Sequence, residues 1–141
     1  AAVAAAVLAG GSALPVLLVP VPTVAAHVAD RGLDLTLALA RVATARLGAA
    51  GLVVRVWPGL RILRRPEDQS GLDGGERLAN LVGAFAARSP PCGRVVVVDD
   101  IVTTGATLVE AVRACAAAGA VPAAAATVAA TPRTGMRRGA R

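Results

Sequence analysis

Apolar and polar positions along the 141-residue chain fall into blocks that predict strands and helices in turn. Val16 to Val19 and Val95 to Val98 are short, uniformly apolar runs rich in β-branched residues, the pattern of parallel strands covered on both faces. Asp34 to Leu47 sets Leu35, Leu39, Val42 and Leu47 near helical spacing with arginines outside. That predicts a surface helix packed on the sheet, with Asp34 as its N-cap. Val53 to Trp57 and Leu60 to Leu63 read as strands joined in a hairpin about Pro58-Gly59. Arg65 to Gly75, polar and punctuated by Pro and Gly, is a loop, and Glu76 to Val82 a short helix. Thr107 to Ala118 reads as helix, and Ala123 to Ala130 as a last strand despite alanine's weak β propensity. A short helix over Ala1 to Ala9 precedes the first strand, and Trp57 and Phe85 belong to the core. Strands alternating with helices imply an α/β fold with a mainly parallel central sheet flanked by helices. Residues 1–132 are expected to form a single domain and 133–141 a basic tail.

Composition narrows the function classes. Hydrophobic content of 55% and a mean hydropathy of +0.64 exclude disorder for most of the chain. With one Trp, one Phe and no Tyr, the core must be built from Ala, Val and Leu. The same scarcity argues against binding single-stranded nucleic acid, which needs aromatic platforms for its bases. The net charge is +6 and all fifteen basic residues are arginine; Arg133, Arg137, Arg138 and Arg141 sit in the tail. A basic surface steers a highly phosphorylated small molecule or touches nucleic acid without sequence preference. Residues 1 to 29 carry no formal charge, but Gly10-Gly11-Ser12, Pro15, Pro20 and Pro22 interrupt them, which argues against a membrane segment or signal peptide. Cys92 and Cys115 are too far apart for a Cys-x-x-Cys pair, and His27 is the single histidine, so no zinc site is expected. His27 lacks an identifiable carboxylate partner and is read as structural, and a cytoplasmic location is the default.

The chemistry concentrates in Val95 to Thr107. An apolar strand runs into Asp99 and Asp100, then into a small hydroxylic loop of Thr103, Thr104, Gly105, Ala106 and Thr107, then into a helix. The first N–H groups of a helix lack partners and its dipole favours an anion, so a phosphate fits there with the threonine hydroxyls around it. Ionised carboxylates beside a phosphate cradle suit a ligand bearing both an anion and neutral vicinal hydroxyls, as a ribose 5-phosphate does. The carboxyl end of a parallel strand is also where open α/β sheets bind ligands. The plainer alternative is that the aspartates end a strand and cap the next helix.

This run resembles the signature of type I phosphoribosyltransferases, which bind 5-phosphoribosyl 1-diphosphate (PRPP). More narrowly, the chain resembles the ComF family in Val19-Pro-Val-Pro22, Arg31-Gly32, Gln69, Arg77, Asn80 with Gly83-Ala-Phe85, and Val95 to Thr107. The likeness spans about residues 16 to 132. It departs where the family continues Arg-Gly with Phe-Asn-Gln, since Leu33-Asp34-Leu35 stands here; the family also often carries a cysteine-rich zinc module at the amino terminus, whereas these 141 residues hold two cysteines.

The resemblance implies a type I phosphoribosyltransferase fold with a mobile lid loop, and an enzyme in which a nitrogen nucleophile displaces pyrophosphate from C1 of PRPP. Mg²⁺ is carried by PRPP, with Asp99 and Asp100 reaching it through water, while the same two carboxylates, as catalytic residues, hold the ribose hydroxyls. Thr103, Thr104, Gly105, Ala106 and Thr107 seat the 5-phosphate. Val21, Pro22 and Thr23 form the pyrophosphate loop, and Arg65, Gln69, Arg77 and Asn80 belong to the lid. Arg31 either caps its helix region or touches pyrophosphate. A homodimer is a further implied partnership, and nucleic acid a weaker one. The alternative functions are a PRPP-binding regulator without turnover and a protein associated with competence and DNA uptake.

Overall fold

Val95–Val98 are all at most 3% exposed, because the strand they form has a neighbour on each side and a layer on each face. The structure, a computed structural model, describes residues 14–64, 80–88, 93–120 and 122–131. Its elements in chain order are β1 (Val16–Pro20), α1 (Ala25–Arg31), α2 (Leu35–Ala49), β2 (Val54–Val56), β3 (Leu60–Ile62), β4 (Phe85–Ala87), β5 (Arg94–Val102), α3 (Ala106–Ala117) and β6 (Pro122–Ala130). Four strands make a parallel sheet in the order β2-β1-β5-β6, and β3 and β4 make a separate antiparallel pair.

Strand pleating sorts the central side chains into two cores. Leu17, Val19, Val95 and Val97 face α3, through Ala111, Ala114 and Cys115, together with Leu60 and Phe85 of the small sheet. Val16, Leu18, Val96 and Val98 face the other way, with Val54, Ala126 and, from α2, Ala40 and Leu47. Trp57 is half-buried against the first core. Burial pushes the Cys115 thiol up to about 11, which keeps it an inert core group.

Several expectations are corrected. The hairpin about Pro58-Gly59 does not form. β2 pairs in parallel with β1, whereas β3 turns away to pair with β4, Ile62 opposite Phe85. Pro58-Gly59 is a corner between sheets, and any side chain at Gly59 would overlap the Trp57 ring. On α2 the inward line is Thr36, Ala40, Ala43 and Leu47: Leu47 is buried as expected, while the other three lie one position on from Leu35, Leu39 and Val42. Leu35 and Val42 are 37% and 54% exposed. Small residues on the inner line let the helix axis approach the sheet, so leucines are not needed there. β5 runs on through the acidic pair to Val102 rather than stopping at Val98, and α1 and β4 are elements beyond those the residue pattern predicts. Asp34 does cap α2, its carboxylate accepting from Leu37 N at 3.1 Å. The expected helix over Ala1 to Ala9, the loop from Arg65 to Gly75, most of the Glu76 to Val82 helix, Cys92 and the tail lie outside the described residues. No helix among the described residues is long and apolar enough to cross a membrane.

Candidate active site

β1 stops at Pro20, opposite Val98, but β5 continues, held by β6 alone through Asp99 opposite Thr127 and Ile101 opposite Ala129. The acidic pair therefore sits on a projecting ribbon past the end of β1. The chain leaving β1 turns across its front as Val21, Pro22 and Thr23. A cleft of about 310 Å³ opens between them. Its walls include Val21, Pro22, Thr23, Asp99, Asp100 and Thr107, with Arg31 at the rim and Ile62, Leu81 and Phe85 of the neighbouring segment closing one side.

Each carboxylate accepts the following backbone N–H. Asp100 N donates to Asp99 Oδ1 at 2.9 Å, and Ile101 N donates to Asp100 Oδ1 at 2.8 Å. Both contacts are local, each side chain turning back onto the backbone of the next residue. Neither aspartate is in an ion pair among the described residues, where the salt bridge found is Glu110 with Arg113. Asp99 is only 7% exposed. Burial pushes its pKa up to about 6, against the pull of the Asp100 N–H and with help from the Asp100 charge.

The hydroxylic loop ends at Gly105, whose φ of 84° makes it the left-handed cap that starts α3. Thr104 Oγ1 accepts from Ala106 N at 3.4 Å, and the first helical bond runs from Val109 N to Gly105 O. Among the described residues nothing accepts from the N–H groups of Thr107 and Leu108, so α3 begins with two free backbone donors beside a threonine hydroxyl. Of the five loop residues, Thr107 lines the cleft; Thr103 and Thr104 are exposed next to it. A Cβ at Gly105 would meet nothing nearer than Val102 Cγ2 at 3.9 Å, so space is ample and φ is the obstacle. Gly105→Ala is expected to cost about 1–2 kcal/mol in urea unfolding, the penalty of a left-handed alanine; an unchanged midpoint would mean the loop relaxes freely.

The remaining candidates divide. Val21, Pro22 and Thr23 all line the cleft, whereas Arg65, Gln69 and Arg77 lie outside the described residues. Asn80 is half-buried and outside the lining, and its carbonyl accepts from Arg64 at 2.6 Å. Together with the Leu63 N to Ala84 O bond, this staples the two ends of the 65–79 segment together. Arg31 is the last residue of α1, where a cation suits the helix dipole, and Gly32 after it is a left-handed C-cap with φ 66°. The Arg-Gly pair is thus a helix end that delivers a guanidinium to the cleft. Residue patterns miss the apolar wall of Ile62, Leu81 and Phe85, because apolar side chains beside a site carry the same signal as core.

Fold and site together define an α/β protein with a cleft at the carboxyl edge of a parallel sheet, lined by two aspartates, Thr107 at the start of α3 and the Val21–Thr23 segment. The family model of the phosphoribosyl transferase domain matches residues 23–140, and the chain belongs to that family. Phosphoribosyl transfer from a small-molecule phosphoribosyl donor is the chemistry of the class. No curated protein matches the chain.

Proposed function

We propose that the protein binds PRPP with Mg²⁺ in this cleft and transfers its phosphoribosyl group to a nitrogen nucleophile, releasing pyrophosphate. The observation that carries the reading is the convergence of Asp99, Asp100, Thr107 and the Val21–Thr23 loop on one cavity, with no ion pair occupying the carboxylates among the described residues. The ComF likeness, through Pro20 to Pro22, Arg31-Gly32 and the acidic run, supports the same donor.

Asp99 and Asp100 accept hydrogen bonds from the ribose hydroxyls, and Thr103 to Thr107 with the free N–H groups of α3 hold the 5-phosphate. The nitrogen forms its bond to C1 as the C1–O bond breaks and the electron pair leaves with pyrophosphate. Negative potential from the paired aspartates favours the cationic sugar that develops between these events. With its pKa near 6, Asp99 is the carboxylate suited to take up the proton the nitrogen loses. Two hard carboxylate oxygen donors fit Mg²⁺, which is commonly held by one or two carboxylates plus substrate phosphates. The cation supplies neutralisation of the departing diphosphate.

Phosphorus NMR of PRPP and Mg²⁺ with the protein, against a panel of purines, pyrimidines and amines, tests this. Pyrophosphate appearing only with one acceptor class is the expected result. Binding without release would point instead to a PRPP-sensing role, and unperturbed PRPP signals would remove the assignment.

A further inference from the structure

The chain that leaves β1 for the cleft reads Pro20-Val21-Pro22, and neither proline has an N–H to anchor it. Val21 is left to carry the attachment. Its N–H donates to Val98 O at 2.9 Å, one residue before Asp99. Its carbonyl accepts from Thr36 Oγ1 at 2.8 Å. Thr36 is 4% exposed, at the start of α2. That hydroxyl has one proton and two acceptors, since Asp34 Oδ1 lies 3.0 Å away. Thr23 Oγ1 stands 3.3 Å from the same carboxylate oxygen and 3.4 Å from Thr36 Oγ1, so a second hydroxyl supplies the other donor. Leu37 N, at 3.1 Å, completes the shell of Asp34 Oδ1. The Asp34 cap of α2 and both hydroxyl-bearing contacts of the loop thus form one network.

We propose that Thr36 is a positioning residue for the Val21–Thr23 loop, with Asp34 as its anchor, and that it sets the loop's grip on the diphosphate end of the donor. The role rests on the PRPP reading above. It follows from where the bonds fall: Val21 is pinned to β5 on one side and to α2 on the other, while Thr23, free of any β-sheet bond, takes its position from Asp34 and Thr36. It also accounts for the departure at Leu33-Asp34-Leu35: α2 still makes a polar contact with the loop, through Asp34 and Thr36.

Thr36→Val preserves the β-branched shape and deletes the hydroxyl; Thr36→Ser keeps the hydroxyl. Titration calorimetry with Mg²⁺ would use three probes: PRPP, pyrophosphate and ribose 5-phosphate, which lacks the diphosphate. Thr36→Val is expected to bind PRPP and pyrophosphate about tenfold more weakly while holding ribose 5-phosphate within about twofold. Thr36→Ser should match the parent for all three, and both variants should keep the parent's far-ultraviolet circular dichroism. Equal losses for all three probes in Thr36→Val, or no rescue by Thr36→Ser, would reduce Thr36 to a packing role and overturn the proposal. So would parental pyrophosphate affinity in Thr36→Val. A parent that binds none of the probes refutes the PRPP reading itself, which is a different result from parental binding with no effect at Thr36.

Discussion

Asp99→Asn is expected to melt on the order of 10 °C above the parent at pH 7.5 while losing transfer by at least ~100-fold. The first effect comes from burial. Asp99 is 7% exposed, and its pKa stands at about 6 against 3.8 for the ordinary carboxyl. Between those two values the folded chain holds a proton that the unfolded chain has released, so stability falls as pH rises through that window. Above it, the charged and buried carboxylate costs roughly 3 kcal/mol, from about 1.4 kcal/mol for each pH unit the window spans. An amide of the same shape keeps an oxygen for the Asp100 N–H and removes the charge. The advantage should shrink as pH falls from 6 to 4 and vanish below the unfolded value, where both residues are neutral. Melting curves across pH 4 to 8 check this, with pyrophosphate release measured alongside. A variant no more stable than the parent at neutral pH would mean that Asp99 is better solvated than its surroundings imply. Retained transfer would take it out of the chemistry.

Stabilisation on Asp99→Asn would be hard to reconcile with strand punctuation, the plainer reading of Asp99-Asp100. The sequence pattern exposes the pair because the chemistry is local: strand, carboxylates, hydroxyls and helix start occur within thirteen residues. What the pattern hides is non-local. Four valines identify β5, but aspartate's poor strand propensity disguises its continuation, which depends on Thr127 and Ala129 nearly thirty residues later. The seven residues of α1 have no side-chain cap, and in the sequence Gly32 looks like half of a motif rather than a helix end. β4 has three residues and pairs with a strand more than twenty positions upstream. Pro58-Gly59 gives a genuine turn signal, yet a turn does not say whether the next strand returns to the same sheet. Apart from Leu47, the expected α2 face is off by one position because leucine outweighs alanine in any hydrophobic count, while close packing on β1 and β5 favours the smaller side chain.

Arg113→Ala is expected to destabilise the protein by about 3–5 kcal/mol, more than Glu110→Gln, although Glu110 is the buried partner. Glu110 is 2% exposed on α3, where it accepts from Phe85 N at 3.0 Å and from Arg113 at 2.6 and 2.8 Å. Arg113 also donates to Phe85 O at 3.0 Å, so the pair clamps β4, and with it one wall of the cleft, to the helix that begins at the hydroxylic loop. Burial pushes the Glu110 carboxyl up, but the Arg113 and Phe85 hydrogen bonds outweigh it and hold the pKa below the usual 4.5. Removing Arg113 strands a carboxylate inside the protein. Glu110→Gln instead leaves a guanidinium whose side chain is already 43% exposed and can turn to water, with the amide oxygen still accepting from Phe85, at about 1–2 kcal/mol. The pH dependences of parent and Arg113→Ala should then differ. The parent's contribution from Glu110 is present above pH 4.5 and lost as pH falls through the depressed value. In Arg113→Ala, with burial opposed only by the backbone N–H groups of Phe85 and Gly83, the carboxyl titrates higher than in the parent, and the variant's deficit shrinks on acidification from about pH 7.5 to about pH 5.5. Urea unfolding of both variants and of the double variant at those two pH values decides the matter. The double variant should sit close to Glu110→Gln, because once the charge is gone Arg113 has little left to offset; a cost near the sum of the two would mean that the residues act independently and that no clamp exists.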